Sequence, residues 1–519
     1  MQGSGTTTSV WMSTTTGPMP AGNADLAAEK PDVIVVGAGI AGVTTAYLLQ
    51  RSGKRVLLLD DGAPGDGETG RTTAHLSNAI DDRYTEMIRL HSESGARMAA
   101  DSHSAAIDAI ERIAREEGID CDLKRLDGYL MLAPGQSPSV IDKELDAARR
   151  AGLEDVERME HPPIHHPGPC LRFPRQGRFH ALKYLAGLTR AFLARGGRLA
   201  THAHVSAIGE EGERAHVHAG HVNIGPGHTT IEADAVVVAT NSPISDRFAI
   251  HTKQAAHRTY AIAARVPKGS VPDALYWDTL DRYHYVRLQP KEDHDLLIVG
   301  GEDHKTGEAR DMESRWAALE TWTREHFPQA GAVEYRWSGQ VMEPFDGLAF
   351  IGRDPAYDGR IFVATGDSGM GMTHGTIAGM VLCELIHGSG SPWAALYDPD
   401  RKMANKLGTY LRETIDVGRQ YLDYVRPSEV ESEQSIAPGE GAVLKSGGKP
   451  IAVYRDEAGA LHRRSAVCPH LKCVVHWNPG EKSWDCPCHG SRFAVDGAVL
   501  NGPATQPLAA VEEPARRAG

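Results

Sequence analysis

Apolar, β-branched residues fill Val33–Val36 without a break, and apolar positions then recur at helical spacing from Val43 to Leu49. A second strand is expected over Arg55–Leu59, apolar from Val56 on and ending in Asp60. The pattern predicts a strand, a turn, a helix and a second strand closed by an acid. Further on, Ile107, Ile110 and Ala114 recur at helical spacing with Glu111, Arg115 and Glu116 between them. That predicts an amphipathic surface helix within 85–118 rather than a membrane anchor. A buried strand is expected where Glu232-Ala-Asp-Ala-Val-Val-Val-Ala leads to Thr240 and Asn241. Ala261–Val266, Leu296–Gly300 and the aromatic-rich Tyr283-His284-Tyr285-Val286-Arg287 predict further strands, with Trp277 close by.

The turn in the first unit reads Gly37-Ala38-Gly39-Ile40-Ala41-Gly42. Gly37 permits a tight turn. Gly39 lets the backbone approach a pyrophosphate, which then rests on the N-terminus of the helix. Gly42 lets helix and strand pack closely. Asp60 lies eighteen residues after Gly42, where an acid can accept hydrogen bonds from a ribose hydroxyl. The unit therefore predicts a dinucleotide site, and its local motif does not distinguish FAD from NAD.

Composition narrows the setting. The chain has 519 residues, enough for several domains, and its 41 % apolar and 24 % charged content is that of a globular protein. A formal net charge of −13 argues against nucleic acid as a partner, since phosphate binding needs a basic face. No apolar run approaches the roughly 18 residues that cross a membrane. Residues 1–30 are polar, with neither a basic nor an apolar leader region, and are expected to form a disordered tail on a cytoplasmic protein. Met12 and Met19 are alternative starts.

Four of the seven cysteines lie between Cys468 and Cys488, whereas Cys121, Cys170 and Cys383 are scattered and read as small buried residues. Cys468-Pro469-His470 and Cys486-Pro487-Cys488-His489 are separated by fifteen residues, and each half offers a thiolate and an imidazole. Two cysteines on one iron and two histidines on the other is the ligand set of a Rieske [2Fe–2S] cluster. A zinc ribbon on the same four residues is the competing reading. Gly490-Ser491-Arg492-Phe493, which follows, favours the cluster. The two histidines are expected at an exposed tip.

Three more stretches carry a resemblance. They are Gly70-Arg71-Thr72-Thr73-Ala74-His75, the strand running into Thr240, and Met342–Gly352 followed by Ile361–Gly375. Their order resembles the D-amino-acid oxidase-like family of FAD-dependent oxidoreductases, which includes glycine and sarcosine oxidases. The resemblance implies FAD as the dinucleotide and a substrate domain interleaved with the FAD-binding segments. It also implies that Gly366, Gly369, Met370, Gly371, Met372 and Thr373 form a turn and helix start aimed at the flavin ring. His374 and Thr373, and on the substrate side Tyr260 and His284, are the candidate catalytic residues; His374 could instead cap the helix. His75 is read as a non-covalent flavin contact. The tail resembles the Rieske proteins of cytochrome bc complexes. That likeness implies a Cys473–Cys488 disulfide and a Ser491 hydrogen bond to a cluster sulfur. Phe493 departs from the tyrosine often found there, which removes one donor and predicts a potential below the bc-type extreme.

The expected fold is α/β. A Rossmann-type FAD-binding domain is interleaved with a mixed-sheet substrate domain, most of it in 122–235 and 245–345, and together they occupy 31–425. A linker follows at 426–434, and then a small all-β Rieske domain at 435–513. The whole resembles a bacterial family of such fusions. It implies oxidation of a small-molecule amine or amino acid, with hydride passing to flavin N5. Electrons would then pass singly to the cluster and on to an external acceptor. The alternatives are an amine oxidase that reduces O₂ beside an accessory Rieske domain, and a non-catalytic electron carrier. A Rieske oxygenase does not fit, because no catalytic domain follows the cluster and no iron-binding triad is evident.

Overall fold

The computed structural model describes residues 3–221, 229–245, 250–280, 283–402, 421–424 and 426–511. The apolar runs of the first unit assemble a six-stranded sheet in the order Phe350–Arg353, Ile361–Thr365, Ala235–Val238, Val33–Val36, Val56–Leu59, Arg198–Ala200. Val33 pairs in parallel with Val56 on one side and Ala235 on the other. The helices Ile40–Arg51 and Gly371–His387 cover one face, and a three-stranded sheet of Ala203–Glu211, Arg214–His221 and Thr229–Ala233 covers the other. The interior strands are accordingly apolar at every position but Thr365. Within 122–235, the strands Lys124–Met131, Glu157–Met159 and Cys170–Arg178 belong to the substrate sheet, whereas 203–233 do not. Val205, Val217 and Ile231 pack on Val36 and Val238 instead.

The substrate side is a nine-stranded mixed sheet, one end of which is built from the long strands Val333–Pro344, Gln254–Pro267 and His294–Lys305. The helix Met312–His326 buries Trp316 and Leu319 against its outer face. The amphipathic helix runs from Arg83 to Glu116 with a break at Ser92. Beyond residue 426 lie a three-stranded and a four-stranded antiparallel sheet. No helix among the described residues is long and apolar enough to cross a membrane.

Two expectations about connecting segments fail. The N-terminal segment is packed rather than disordered. Ser9 caps a short helix, Val10–Thr14, and Val10 and Trp11 are fully buried. The Trp11 indole donates to the Thr72 carbonyl, and Arg287 stacks over its ring. One Val-Trp pair in a Ser/Thr-rich stretch provides enough apolar surface to order it. The acidic segment after Arg426 is also docked. Glu429 exchanges hydrogen bonds with Val443 and Glu433 pairs with Arg463 at 2.7 Å, so these two acids bind the small β domain, while Glu431 is exposed.

Candidate functional site: a dinucleotide cavity and a docked cluster loop

The C-terminal ends of the parallel strands open onto a cavity of about 1880 Å³, the position at which such sheets bind ligands. Gly37 sits at φ +103°, and a Cβ there would lie 2.4 Å from the Ala239 carbonyl oxygen. A Cβ on Gly42 would lie 1.7 Å from the Gly37 carbonyl oxygen, so close packing at the first helical turn requires glycine. Gly39 differs. Its Cβ would meet only the Thr69 hydroxyl, at 3.2 Å, and otherwise faces the cavity. This is the open approach a pyrophosphate needs, and FAD fits it. Thr69 Oγ1 accepts the Ile40 amide, one of the free donors at the helix start. Gly39→Val is expected to fold and to lose FAD, read as flavin per chain after purification. Full flavin occupancy would contradict the assignment.

Of the predicted dinucleotide residues, Gly37, Gly39, Ile40, Ala41, Asp60, Arg71, Thr72, Thr73 and Thr240 line the cavity, as do Gly366, Gly369, Met370, Gly371 and Met372. Gly42, Ala74 and Thr373 do not. Asp60 accepts the Ala38 and Gly62 amides, and burial pushes its carboxyl up to about 7. Arg71 borders the cavity, but its guanidinium is buried in an ion pair with Glu481 at 3.2 Å and is committed to the domain junction.

The catalytic candidates separate. His374 lines the cavity, and its Nδ1–H donates to the Asp367 carbonyl at 2.8 Å, which locks the turn before the helix. Burial holds it down to about 4, so it is neutral. Thr373 does not reach the cavity; its hydroxyl meets His103 Nδ1 at 2.8 Å, the same ring whose Nε2 lies 3.2 Å from His374 Nε2. Tyr260 borders the cavity, but its ring packs on Trp316 and its hydroxyl meets His304 Nε2 at 2.9 Å. His284 is outside the cavity. It stacks on Trp322 and hydrogen-bonds Asp278 at 2.9 Å. Tyr283 and Tyr285 face the cavity, whereas His284, just before the strand Tyr285–Pro290, turns away from it. His75 does line the cavity. Its Nε2–H donates to the Val286 carbonyl at 3.3 Å, and burial together with Arg287 brings it down to about 3.

Sequence reasoning missed an acidic group beside the turn at Gly369. Asp81, Asp82, Asp303, Glu343 and Asp367 all line this part of the cavity. Tyr283 donates to Asp81 and Ser368 donates to Glu343. Burial pushes Asp81 up to about 7 and Asp367 to about 6, and raises Glu343 well above its usual range. Scattered over four chain segments, these acids left no local signal.

In the C-terminal domain, Cys473 and Cys488 form a disulfide, with Cα atoms 6.5 Å apart. Cys468 and Cys486 hydrogen-bond to one another. That contact draws the Cys468 thiol down, burial opposes it, and a hydrogen bond to Ser491 adds to the lowering. The His470 and His489 rings are 5.2 Å apart, and His489 Nδ1 is buried without a hydrogen-bond partner. Two neighbouring thiols, two neighbouring imidazoles and an orphaned ring nitrogen are a donor set that fits a [2Fe–2S] cluster and could hold it.

The exposed tip is overturned. His489 is only 6 % exposed. His251, from the preceding domain, sits 5.2 Å from the His470 ring and 5.6 Å from the His489 ring. A Cβ on Gly490 would come within 2.4 Å of Ala256 Cβ, and Gln340, which lines the dinucleotide cavity, donates to the Gly490 carbonyl at 3.0 Å. The loop is docked because the domain junction is a buried charge network. Glu481 meets Arg71 at 3.2 Å, Arg258 at 3.0 Å, and the Ser338 and Thr7 hydroxyls. Burial alone would raise the Glu481 carboxyl, but Arg71, Arg258 and Arg492 outweigh it and hold it down to about 2.

Residues 32–385 match the model of the FAD dependent oxidoreductase family, and residues 427–512 match that of the Rieske [2Fe-2S] domain. The chain belongs to the FAD dependent oxidoreductase family and carries a C-terminal Rieske domain. Its cofactors are FAD and a [2Fe–2S] cluster. Protein YhfW of Bacillus subtilis (strain 168), named for a Rieske 2Fe-2S centre, is 30% identical over 483 residues, covering 93% of each chain. The cytochrome b6-f complex iron-sulfur subunit of Synechococcus sp. (strain JA-3-3Ab) is 48% identical over 86 residues, 16% of this chain and 50% of its own. Glycine oxidase from Geobacillus kaustophilus superposes with a TM-score of 0.59 at 19% identity, over 72% of this chain and 99% of its own. L-amino acid deaminase from Proteus vulgaris gives 0.60 at 13%, over 74% and 100%. At such identities these two likenesses speak for the fold alone.

Proposed function

We propose that the chain binds a cationic amine, oxidises it at FAD once its ammonium proton has been released to solvent, and passes the electrons singly through its own Rieske cluster to an external acceptor. Cys468, Cys486, His470 and His489 hold the cluster in this reading. When bound, FAD accepts the electron pair of an amine carbon–hydrogen bond, and the cluster carries one electron at a time.

The observation that carries the proposal is the docking of the cluster loop on the wall of the dinucleotide cavity. Gln340 reaches both the cavity and the Gly490 carbonyl. A loop held there by buried charge favours transfer within one chain over delivery by a free-standing carrier. Substrate charge follows from the acids. Asp81 and Asp367, ionised above about 7 and about 6, favour a cation beside the Gly369 turn. His374 holds the turn in place, and Tyr283 holds Asp81.

Titrating amines anaerobically, with loss of the flavin's visible absorption as the readout, tests this reading. Cationic amines should bleach the flavin. Asp81 and Asp367 take up protons as pH falls through about 7 and about 6, so amine binding should weaken on acidification across that window. Bleaching by no amine, or pH-independent binding, would refute the substrate assignment.

A further inference from the structure

The dinucleotide cavity is not built by the first domain alone. Val499, Leu500, Asn501, Thr505 and Gln506 of the C-terminal domain line the same cavity as Gly37, Gly39 and Asp60. We propose that segment 498–507 is the outer wall of the FAD site over its adenosine half, so that FAD is enclosed between two domains and leaves only when this wall opens. The inference rests on FAD occupying the Gly37–Gly39 cavity.

Four hydrogen bonds place the wall. His204 Nε2–H donates to the Thr505 carbonyl at 2.9 Å, while its Nδ1 lies 3.6 Å from Asp61. His204 belongs to the strand Ala203–Glu211, and Asp61 follows Asp60, the acid placed to receive a ribose. The wall therefore closes over the ribose end. The Asn501 amide donates to Glu68 at 3.2 Å and to Ser4 Oγ at 3.1 Å, which ties the wall to the first domain and to the N-terminal arm. The Ala504 amide donates to Ser491 Oγ at 3.1 Å, so the wall's other side is anchored on the cluster loop.

The wall has no part in forming the glycine turn. Loosening it should therefore leave the cavity intact and change how long FAD stays. Affinity differences of this kind appear mainly in dissociation rates.

The test is FAD release from the full-length holoprotein, followed by the rise of free-flavin fluorescence after dilution. Asn501→Ala should release FAD about tenfold faster, equivalent to about 1.4 kcal/mol. His204→Ala should do the same, and His204→Gln, which keeps a donor, should restore slow release. Iron per chain and the cluster's EPR spectrum should match wild type in all three. Wild-type release rates in Asn501→Ala and His204→Ala, with the cluster intact, would overturn the proposal. A measurement without variants decides it independently. Adding FAD to the apoprotein should slow amide hydrogen exchange in 498–507 as well as in 37–42. Protection confined to 37–42 would also overturn it. Purified wild-type protein without FAD would be a different result, refuting FAD occupancy of the cavity rather than the wall.

Discussion

Glu481→Gln will destabilise the protein by about 3–5 kcal/mol, the cost of breaking a buried ion pair by removing one partner. The side chains of Glu481, Arg71 and Arg258 are at most 1 % exposed. Gln preserves size and can still hydrogen-bond Ser338 and Thr7, so the loss isolates the charge. Two guanidiniums would remain out of water with no carboxylate between them. The exposed pair Arg336–Glu313 provides the control, because Glu313→Gln should cost less than about 0.5 kcal/mol. Denaturant unfolding of both variants checks the contrast. Equal effects would mean that the junction does not hold the domains together.

Cys486→Ser will stop turnover with a one-electron acceptor while leaving amine-driven bleaching of the flavin in place. Iron and acid-labile sulfide should both fall away, because one iron loses a thiolate ligand. Flavin content should stay near wild type, since Cys486 is not among the residues lining the dinucleotide cavity. Metal analysis, flavin content and steady-state turnover on one preparation check this. Undiminished turnover in the cluster-free protein would remove the cluster from the route and leave an oxidase with an accessory domain.

What could be read from the sequence was what contiguous residues encode. The glycine turn, the paired Cys-x-His and Cys-x-x-His motifs and the strand runs each act within a few positions, so spacing alone reveals them. The junction is different. Glu481 stands in Asn478-Pro479-Gly480-Glu481-Lys482, an ordinary polar turn, and nothing local shows that Arg71 and Arg258 converge on it. His251 gave no sign of packing against both cluster histidines. The choice of His284 over its neighbours failed on parity. Alternation predicts that Tyr283 and Tyr285 share a face and His284 has the other, but not which face meets the ligand. The N-terminal arm was misjudged because average composition conceals one buried tryptophan.

The central claim is that electrons from the amine reach the cluster within one chain. Rapid anaerobic mixing of the holoprotein with a substoichiometric good amine tests it most directly, following flavin bleaching and cluster reduction separately over a range of protein concentrations. Flavin bleaching should come first, and cluster reduction should follow with a rate independent of protein concentration. A cluster that stays oxidised, or one reduced at a rate that rises in proportion to protein concentration, would contradict the account.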